Sequence, residues 1–218
     1  MMNRRVVFIL GAGASRAYGF TLASELLRSA VNLERDALPM LQGAGFSQEQ
    51  VATFTDQLRT SQLPSIDAFL EYRPEFTDIG KAVIAYYLVL MEDPASLVAL
   101  SNSQHWYQYT YHLMKTPRLR EFSRNSLSVI TFNYDRSFEY YLHRVHAATH
   151  GAAERDVMEA TRSLPIVHVH GSLGALPALG ENPRPYEKVV TSASLLAAAK
   201  SIRIVSEMVP RDHLFQEA

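Results

Sequence analysis

The sequence predicts an α/β fold: a Rossmann-like parallel sheet with helices on both faces and a mostly helical insertion. The first observation behind this prediction is an apolar run at residues 6–10 that leads directly into a glycine-containing turn at residues 11–13. The second is a pair of later runs, at residues 127–132 and 165–170, that end beside polar residues or glycine. The first run lacks polar alternation and is rich in β-branched residues, which is typical of a central parallel strand covered on both faces.

The glycine turn predicts a ligand site. Gly11 and Gly13 allow the backbone to turn tightly and to approach a ligand without an intervening side chain. The amides of this turn, from Gly11 through Ala12 and Gly13 to Ser15, are expected to bind phosphate oxygens. The dehydrogenase fingerprint G-x-G-x-x-G would need a third glycine where Arg16 stands. The turn alone therefore leaves a nucleotide site and a plain strand-to-helix turn equally open.

Length and composition limit the classes of function. A chain of 218 residues suits a single domain with an ample core. Its formal net charge of -1 predicts no general attraction to nucleic acid or to a membrane. The absence of cysteine excludes disulfides, thiolate zinc sites and cysteine nucleophiles, and it fits a cytoplasmic protein. The apolar run at residues 6–10 is too short for a signal peptide or a membrane span.

Capping residues and apolar periodicity predict a series of helices between the first and second strands. Ser47 opens a capping box, and a second capped start lies at Ser65. Asp67 could be either a cap or a site residue, and capping is the more frequent role of such a residue. The predicted helices lie at about residues 22–32, 48–60, 65–71, 78–91 and 104–115. All but the first form the mostly helical insertion, at about residues 48–115.

Polar residues follow the second and third strands. Asn133 and Asp135 come after the second, and His170 and Gly171 close the third. Because ligands of open α/β sheets bind outside the carboxyl ends of the strands, these residues and the glycine turn predict one shared site. Each also has a structural alternative. Asn133 and Asp135 could cap the helix predicted at residues 136–147, His170 could be a buried histidine, and Gly171 could be a turn residue.

The remaining histidines are expected to be structural or exposed. His168 shares a strand face with His170 and lies deeper in the sheet, so a structural role is expected. An alternative is that His168, His170 and Asp135 share a metal ion, as in a metal-dependent hydrolase. The helix predicted after the second strand, and the residue just beyond it, carry three histidines that we expect at the surface: His143, His146 and His150.

Three segments together resemble the sirtuin superfamily, in its bacterial NAD-hydrolysing, anti-phage defence branch. They are Gly-Ala-Gly-Ala-Ser at residues 11–15, Thr-Phe-Asn-Tyr-Asp at residues 131–135, and His-Gly at residues 170–171. Residues 65–71 also resemble a segment common in that branch. The chain lacks the four-cysteine zinc module and the Pro-Asp-Phe-Arg segment of sirtuin deacylases, so lysine deacylation is disfavoured and no metal is expected. The family continues with a further strand, so we expect the chain to be incomplete at its C-terminus.

The resemblance implies an NAD+ glycohydrolase that cleaves the bond between nicotinamide and ribose and gives nicotinamide and ADP-ribose. His170 would take a proton from water or from a ribose hydroxyl, and Asn133 would hold the ribose and the water in line. Asp135 would accept from the nicotinamide carboxamide, and Gly171 would complete the nucleotide site. The alternatives are a non-catalytic NAD or ADP-ribose-binding module and the metal-dependent hydrolase. A homo-oligomer or an effector partner is compatible with each reading.

Overall fold

The computed structural model describes residues 1–98, 105–177, 179–180, 183–204 and 207. These residues form an α/β fold with a sheet of three parallel strands in the order β1-β2-β3. The strands are β1 Val6–Leu10, β2 Leu127–Thr131 and β3 Ile166–His168. The predicted α/β class is therefore confirmed. The connection from β1 to β2 is long because it contains the helical insertion.

The described residues form ten α-helices. In chain order they are α1 Ala12–Ser15, α2 Ala23–Val31, α3 Ala37–Gly43, α4 Gln48–Ser61, α5 Ile66–Tyr72, α6 Thr77–Leu90, α7 Trp106–Met114, α8 Ser137–His150, α9 Glu154–Arg162 and α10 Ser192–Ser201. Short 3-10 helices lie at Arg16–Tyr18, Pro74–Phe76 and Leu119–Arg124. Across the described part of the chain, no helix combines the length and the apolar character that crossing a bilayer requires.

The two serines predicted to cap helices form the expected hydrogen bonds. Ser47 Oγ accepts from the backbone N–H of Gln50 at 3.1 Å, and the Gln50 side chain accepts from the Ser47 N–H at 2.8 Å. This reciprocal box satisfies two backbone donors at the start of α4. Ser65 caps α5 in a similar way, through the N–H of Ala68 at 3.1 Å. The helices predicted from these two serines are confirmed.

Helix α6 forms the centre of the helical layer. Its residues from Ile79 to Val89 are all buried, including Tyr86 and Tyr87. The helix packs against α10, α2, α3, α4 and α5. Burial on every side explains why this segment is apolar without a polar stripe. The aromatic residues Tyr86 and Tyr87 of α6 belong to the core.

The two faces of the sheet differ in how they are covered. On the inner face, Phe8 packs edge-on against Trp106 of α7, with ring centroids 6.1 Å apart. On the outer face, Val7 and Ile9 are 57% and 71% exposed, and Val167 of β3 is 45% exposed. These three apolar side chains are therefore left uncovered on the outer face, and β1 lies at an edge of the described sheet instead of the centre. An apolar run shows that a strand prefers burial, but it does not show which element covers each face.

A buried ion cluster ties the sheet to the loop after β3. Arg136 donates through Nε and Nη2 to the two carboxylate oxygens of Glu92, both at 2.9 Å. Arg184 also pairs with Glu92, and the carbonyl of Arg184 accepts from Arg136 Nη1 at 2.9 Å. Glu92 is fully buried, so the two guanidinium groups compensate a charge that would otherwise be costly in the interior. The cluster fixes the start of α8, immediately after the predicted site residues.

Candidate functional site

The glycine turn at the carboxyl end of β1 presents an open backbone surface. A Cβ atom placed on Gly11 or on Gly13 would meet no other atom within 4 Å. The helix that follows, α1, has only four residues and leads into a 3-10 helix, and Gly19 then adopts φ +92°. The turn is therefore followed by a compact connection to α2 instead of a long helix. Its open side leaves room for a ligand to approach the main chain.

Asn133 joins the end of β2 to this turn. Its Nδ2 donates to the Gly11 carbonyl at 2.9 Å and to Ser15 Oγ at 3.1 Å. Its backbone N–H donates to Thr131 Oγ1 at 3.1 Å. Both amide hydrogens are therefore used by the protein, and the side-chain oxygen Oδ1 has no hydrogen-bond partner among the described residues. With only 9% of the residue exposed, this oxygen is the group that Asn133 can offer to a ligand.

Asp135 is held by the protein's own donors. Its carboxylate accepts from Ser15 Oγ at 2.7 Å, from the N–H of Ser137 at 3.1 Å and from the Ser137 hydroxyl. Burial raises the pKa of Asp135, and these hydrogen bonds oppose the rise. The Ser137 hydroxyl is shared with Tyr107 at 2.6 Å. The observed role of Asp135 is to fix Ser15 and the first residue of α8.

A cavity of about 230 Å³ lies between the glycine turn, the start of α2, helix α5 and the carboxyl end of β2. Four residues predicted for the site line it, namely Ala12, Ser15, Asn133 and Asp135. The prediction that the first two strands share a site is therefore supported by their geometry. The remaining lining residues are Phe20, Thr21, Ala23, Leu26, Asp67, Leu88, Phe132 and Tyr134.

His170 does not line this cavity. Strand β3 ends at His168, two residues earlier than predicted, so His170 occupies a turn. Its ring centroid is 5.8 Å from that of Phe132 and 6.3 Å from that of Tyr134, and both of these residues line the cavity. Its Nδ1 is buried and has no hydrogen-bond partner within the described part of the chain. His170 thus lies next to two lining residues, with an unused ring nitrogen.

Gly171 has a packing role that explains its identity. Its φ of +69° favours glycine, and a Cβ atom there would lie 2.1 Å from the carbonyl oxygen of Ser201. The residue also forms an isolated bridge with Ile202. Gly171 does not line the cavity. Its position agrees with the structural alternative, a turn residue that lets the end of α10 pack closely.

His168 is structural, as expected from its depth in the sheet. Its Nδ1 contacts the Asn133 carbonyl at 2.9 Å, and its Nε2 contacts Glu139 Oε1 at 2.5 Å. Burial acts to lower the pKa of His168. The charge of Glu139 and the hydrogen bonds to Glu139 and to the Asn133 carbonyl outweigh burial and raise the pKa to about 9. Protonated His168 therefore donates from both nitrogens and anchors the backbone of Asn133.

A metal ion shared by His168, His170 and Asp135 would compete with existing hydrogen bonds. Both ring nitrogens of His168 are engaged by protein acceptors, and the carboxylate of Asp135 is engaged by donors. The described residues contain no group of three or more histidine, aspartate or glutamate side chains placed to hold a metal ion. A shared metal would require His168 to leave its two hydrogen bonds.

His146 is buried, so its predicted surface position is wrong. It lies on the inner side of α8, with its ring 4.3 Å from that of Phe122 and its Nδ1 3.3 Å from Thr161 Oγ1. Burial lowers the pKa of His146 to about 4, so the ring is neutral at pH 7. His143, by contrast, contacts the exposed carboxylate of Glu154 at 3.0 Å. Helix spacing alone did not identify which histidine faces α9.

Two residues of the site were not assigned to it from the sequence. Asp67 is not the cap of α5, because Ser65 fills that role. Its Oδ1 instead accepts from the Tyr134 hydroxyl at 2.5 Å. Trp106 supports the glycine turn: its Nε1 donates to the Ala14 carbonyl at 2.8 Å. The sequence did contain a signal for Asp67: Ser65, two positions earlier, is the better capping residue, which leaves the Asp67 side chain available for another role.

Comparison with protein-family models, with curated proteins and with solved structures gives no match to this chain.

Proposed function

We propose that this protein is an NAD+ glycohydrolase that releases nicotinamide and ADP-ribose. The observation that carries the proposal is the placement of Asn133. Its amide ties the glycine turn to the end of β2 at Gly11 and Ser15, its side-chain oxygen has no partner among the described residues, and the residue lines the cavity. This arrangement combines an open turn suited to a pyrophosphate with a polar group suited to orienting a ribose.

The chemistry needs few groups. Nicotinamide leaves as a neutral molecule, because the bonding pair of the C1′–N bond goes to its ring nitrogen. A water oxygen then bonds to C1′ of the oxocarbenium-like ribose and loses one proton. Asn133 Oδ1 would orient that water or a ribose hydroxyl, and His170 would accept the proton through its unused ring nitrogen. For this step the ribose must reach His170, which lies beside Phe132 and Tyr134 and does not itself line the cavity.

Incubation of the purified protein with NAD, followed by measurement of free nicotinamide, tests the proposal. We expect release of nicotinamide and ADP-ribose in equal amounts, with the same rate in the presence of a chelator. Such an activity would suit a bacterial defence system that depletes NAD. Chelator-sensitive release would favour the metal-dependent alternative. A known NAD-cleaving enzyme is the positive control for the assay. If that control releases nicotinamide and this protein does not, the proposal is contradicted.

A non-catalytic module that binds NAD or ADP-ribose is the second candidate. The position of His170 favours it, since the expected general base does not line the cavity. Calorimetric titration separates the two candidates. A binding module would give a saturable signal with NAD, without release of nicotinamide over hours.

A further inference from the structure

Of the described residues that line the cavity, Asp67 is the one charged residue that belongs to the helical insertion. It lies in the first turn of α5 and is half-buried. The Tyr134 hydroxyl donates to its Oδ1 at 2.5 Å, which connects the insertion to the loop after β2. Burial, the charge of Asp67 and the hydrogen bond to it raise the pKa of Tyr134, so the hydroxyl remains a donor.

The second carboxylate oxygen of Asp67 is unused. Within the part of the chain that the structure describes, Oδ2 has no hydrogen-bond partner, whereas both oxygens of Asp135 are engaged. Asp67 and Asn133 line the same cavity, and each has one acceptor oxygen without a partner among the described residues. Two acceptors without protein donors suit a ligand that carries several hydroxyl groups.

The charge and the size of the cavity restrict which part of a nucleotide it can take. Among the described residues that line it, two are aspartates and none is a lysine, arginine or histidine. Phosphate groups would be repelled by these carboxylates. A volume of about 230 Å³ is also below the range of about 300–1,000 Å³ that is typical of sites for whole drug-sized ligands. An uncharged sugar fits both restrictions.

We propose that Asp67, held by Tyr134, is the specificity residue that accepts hydrogen bonds from the hydroxyls of the distal ribose of an ADP-ribose moiety. This inference rests on the proposed function and names the end of the ligand that enters the cavity. The pyrophosphate lies at the open glycine turn, and the ribose next to nicotinamide lies between Asp67 and Asn133. The helical insertion is thereby part of the binding site.

Calorimetric titrations of the full chain with ADP-ribose and with ADP test this inference, because ADP lacks the distal ribose. In Asp67→Asn, the side chain can still accept from Tyr134, but it loses the charged free oxygen. Loss of a charge-assisted hydrogen bond predicts an ADP-ribose affinity lower by about ten- to a hundredfold. The affinity for ADP should change by no more than about twofold. Glu71→Gln, an exposed change on the same helix, should leave both affinities unchanged.

Tyr134→Phe provides a second variant that keeps the aromatic ring beside His170. We expect it to lower the affinity for ADP-ribose less than Asp67→Asn does, and to leave that for ADP unchanged. An equal loss for ADP-ribose and ADP, or no loss for either, would overturn the role of Asp67. Failure of the wild-type chain to bind ADP-ribose would overturn the role of Asp67, whereas absence of nicotinamide release would overturn the enzymatic activity. A selective loss in Asp67→Asn without any NAD cleavage would overturn the enzymatic activity alone.

Discussion

Two groups of polar residues near the cavity differ in how many of their hydrogen-bonding atoms are already used. Asp135, Glu139 and His168 form the support layer, whose carboxylate oxygens and ring nitrogens bind protein partners. Asp67 and His170 are the open groups, because Asp67 Oδ2 and His170 Nδ1 have no partner in the described chain. Substitutions in the support layer should therefore change folding, because they leave buried groups unpaired. Substitutions of the open groups should change ligand binding or turnover.

The largest expected effect on folding lies in the ion cluster next to the support layer. Arg136→Met should lower the free energy of unfolding by about 3–5 kcal/mol, since it removes the bidentate partner of the buried Glu92 carboxylate. Urea unfolding at pH 7 measures this change. Arg144→Met, on the exposed side of α8, is the matched control and should cost less than about 0.5 kcal/mol. Equal stability of the two variants would show that the cluster is not needed for folding.

The second largest effect is a pH dependence from His168. Its pKa is about 9 in the folded protein against about 6.5 in an unfolded chain. A raised folded-state pKa stabilises the protein fully below pH 6.5, and the stabilisation is lost as the pH rises through 9. The expected loss over this window is about 3 kcal/mol, measured by urea unfolding at several pH values.

His168→Gln is the control for this pH dependence. It should flatten the alkaline side of the stability profile. On the acidic side, the folded-state pKa of His146 is about 4. Stability therefore falls as the pH drops from 6.5 towards 4, because His146 is protonated in the unfolded chain but stays neutral in the folded protein. An unchanged alkaline side in His168→Gln would contradict the assigned ion pair with Glu139.

For the open groups, the expected effect is on turnover. In a protein shown to cleave NAD, His170→Ala should lower the rate of nicotinamide release by about a hundredfold or more, with ADP-ribose binding retained. Asn133→Ala should lower it to a similar extent, and it should also reduce stability because its amide donates to Gly11 and Ser15. Undiminished cleavage in His170→Ala would remove this residue from the proposed mechanism.

The smallest effect on folding is expected at Gly13, where a Cβ atom would meet no other atom within 4 Å. Gly13→Val should leave the melting temperature nearly unchanged and abolish the stabilisation of the protein by ADP-ribose, because the branched side chain would occupy the place of the phosphate. Gly171→Ala is the contrasting variant, since its Cβ would clash with Ser201, and it should destabilise strongly. Unfolding of Gly13→Val would mean that this glycine is required for packing.

Local signals in the sequence predicted the features that depend on neighbouring residues. Capping by Ser47 and Ser65 gave helices that the structure confirms. The expected convergence of strand ends also brought Asn133 to Ser15, 118 residues apart, because parallel strands align their carboxyl ends.

Contacts between distant elements could not be predicted in the same way. The pairing of Asp67 with Tyr134 joins residues 67 positions apart, and it depends on how α5 packs against the loop after β2. The burial of His146 depends on α9 and a 3-10 helix. The position of His170 depends on β3 ending at His168, and the apolar pattern of residues 165–170 did not mark that end.

The contact between Trp106 and the glycine turn has an optical consequence. Trp106 is the only tryptophan of the chain, and its indole N–H donates to the Ala14 carbonyl at 2.8 Å. Indole emission depends on the hydrogen bond and the polarity around the ring, so a ligand that shifts the turn would change the wavelength or intensity of fluorescence. The protein thus carries an intrinsic, label-free reporter beside the backbone that we propose binds phosphate.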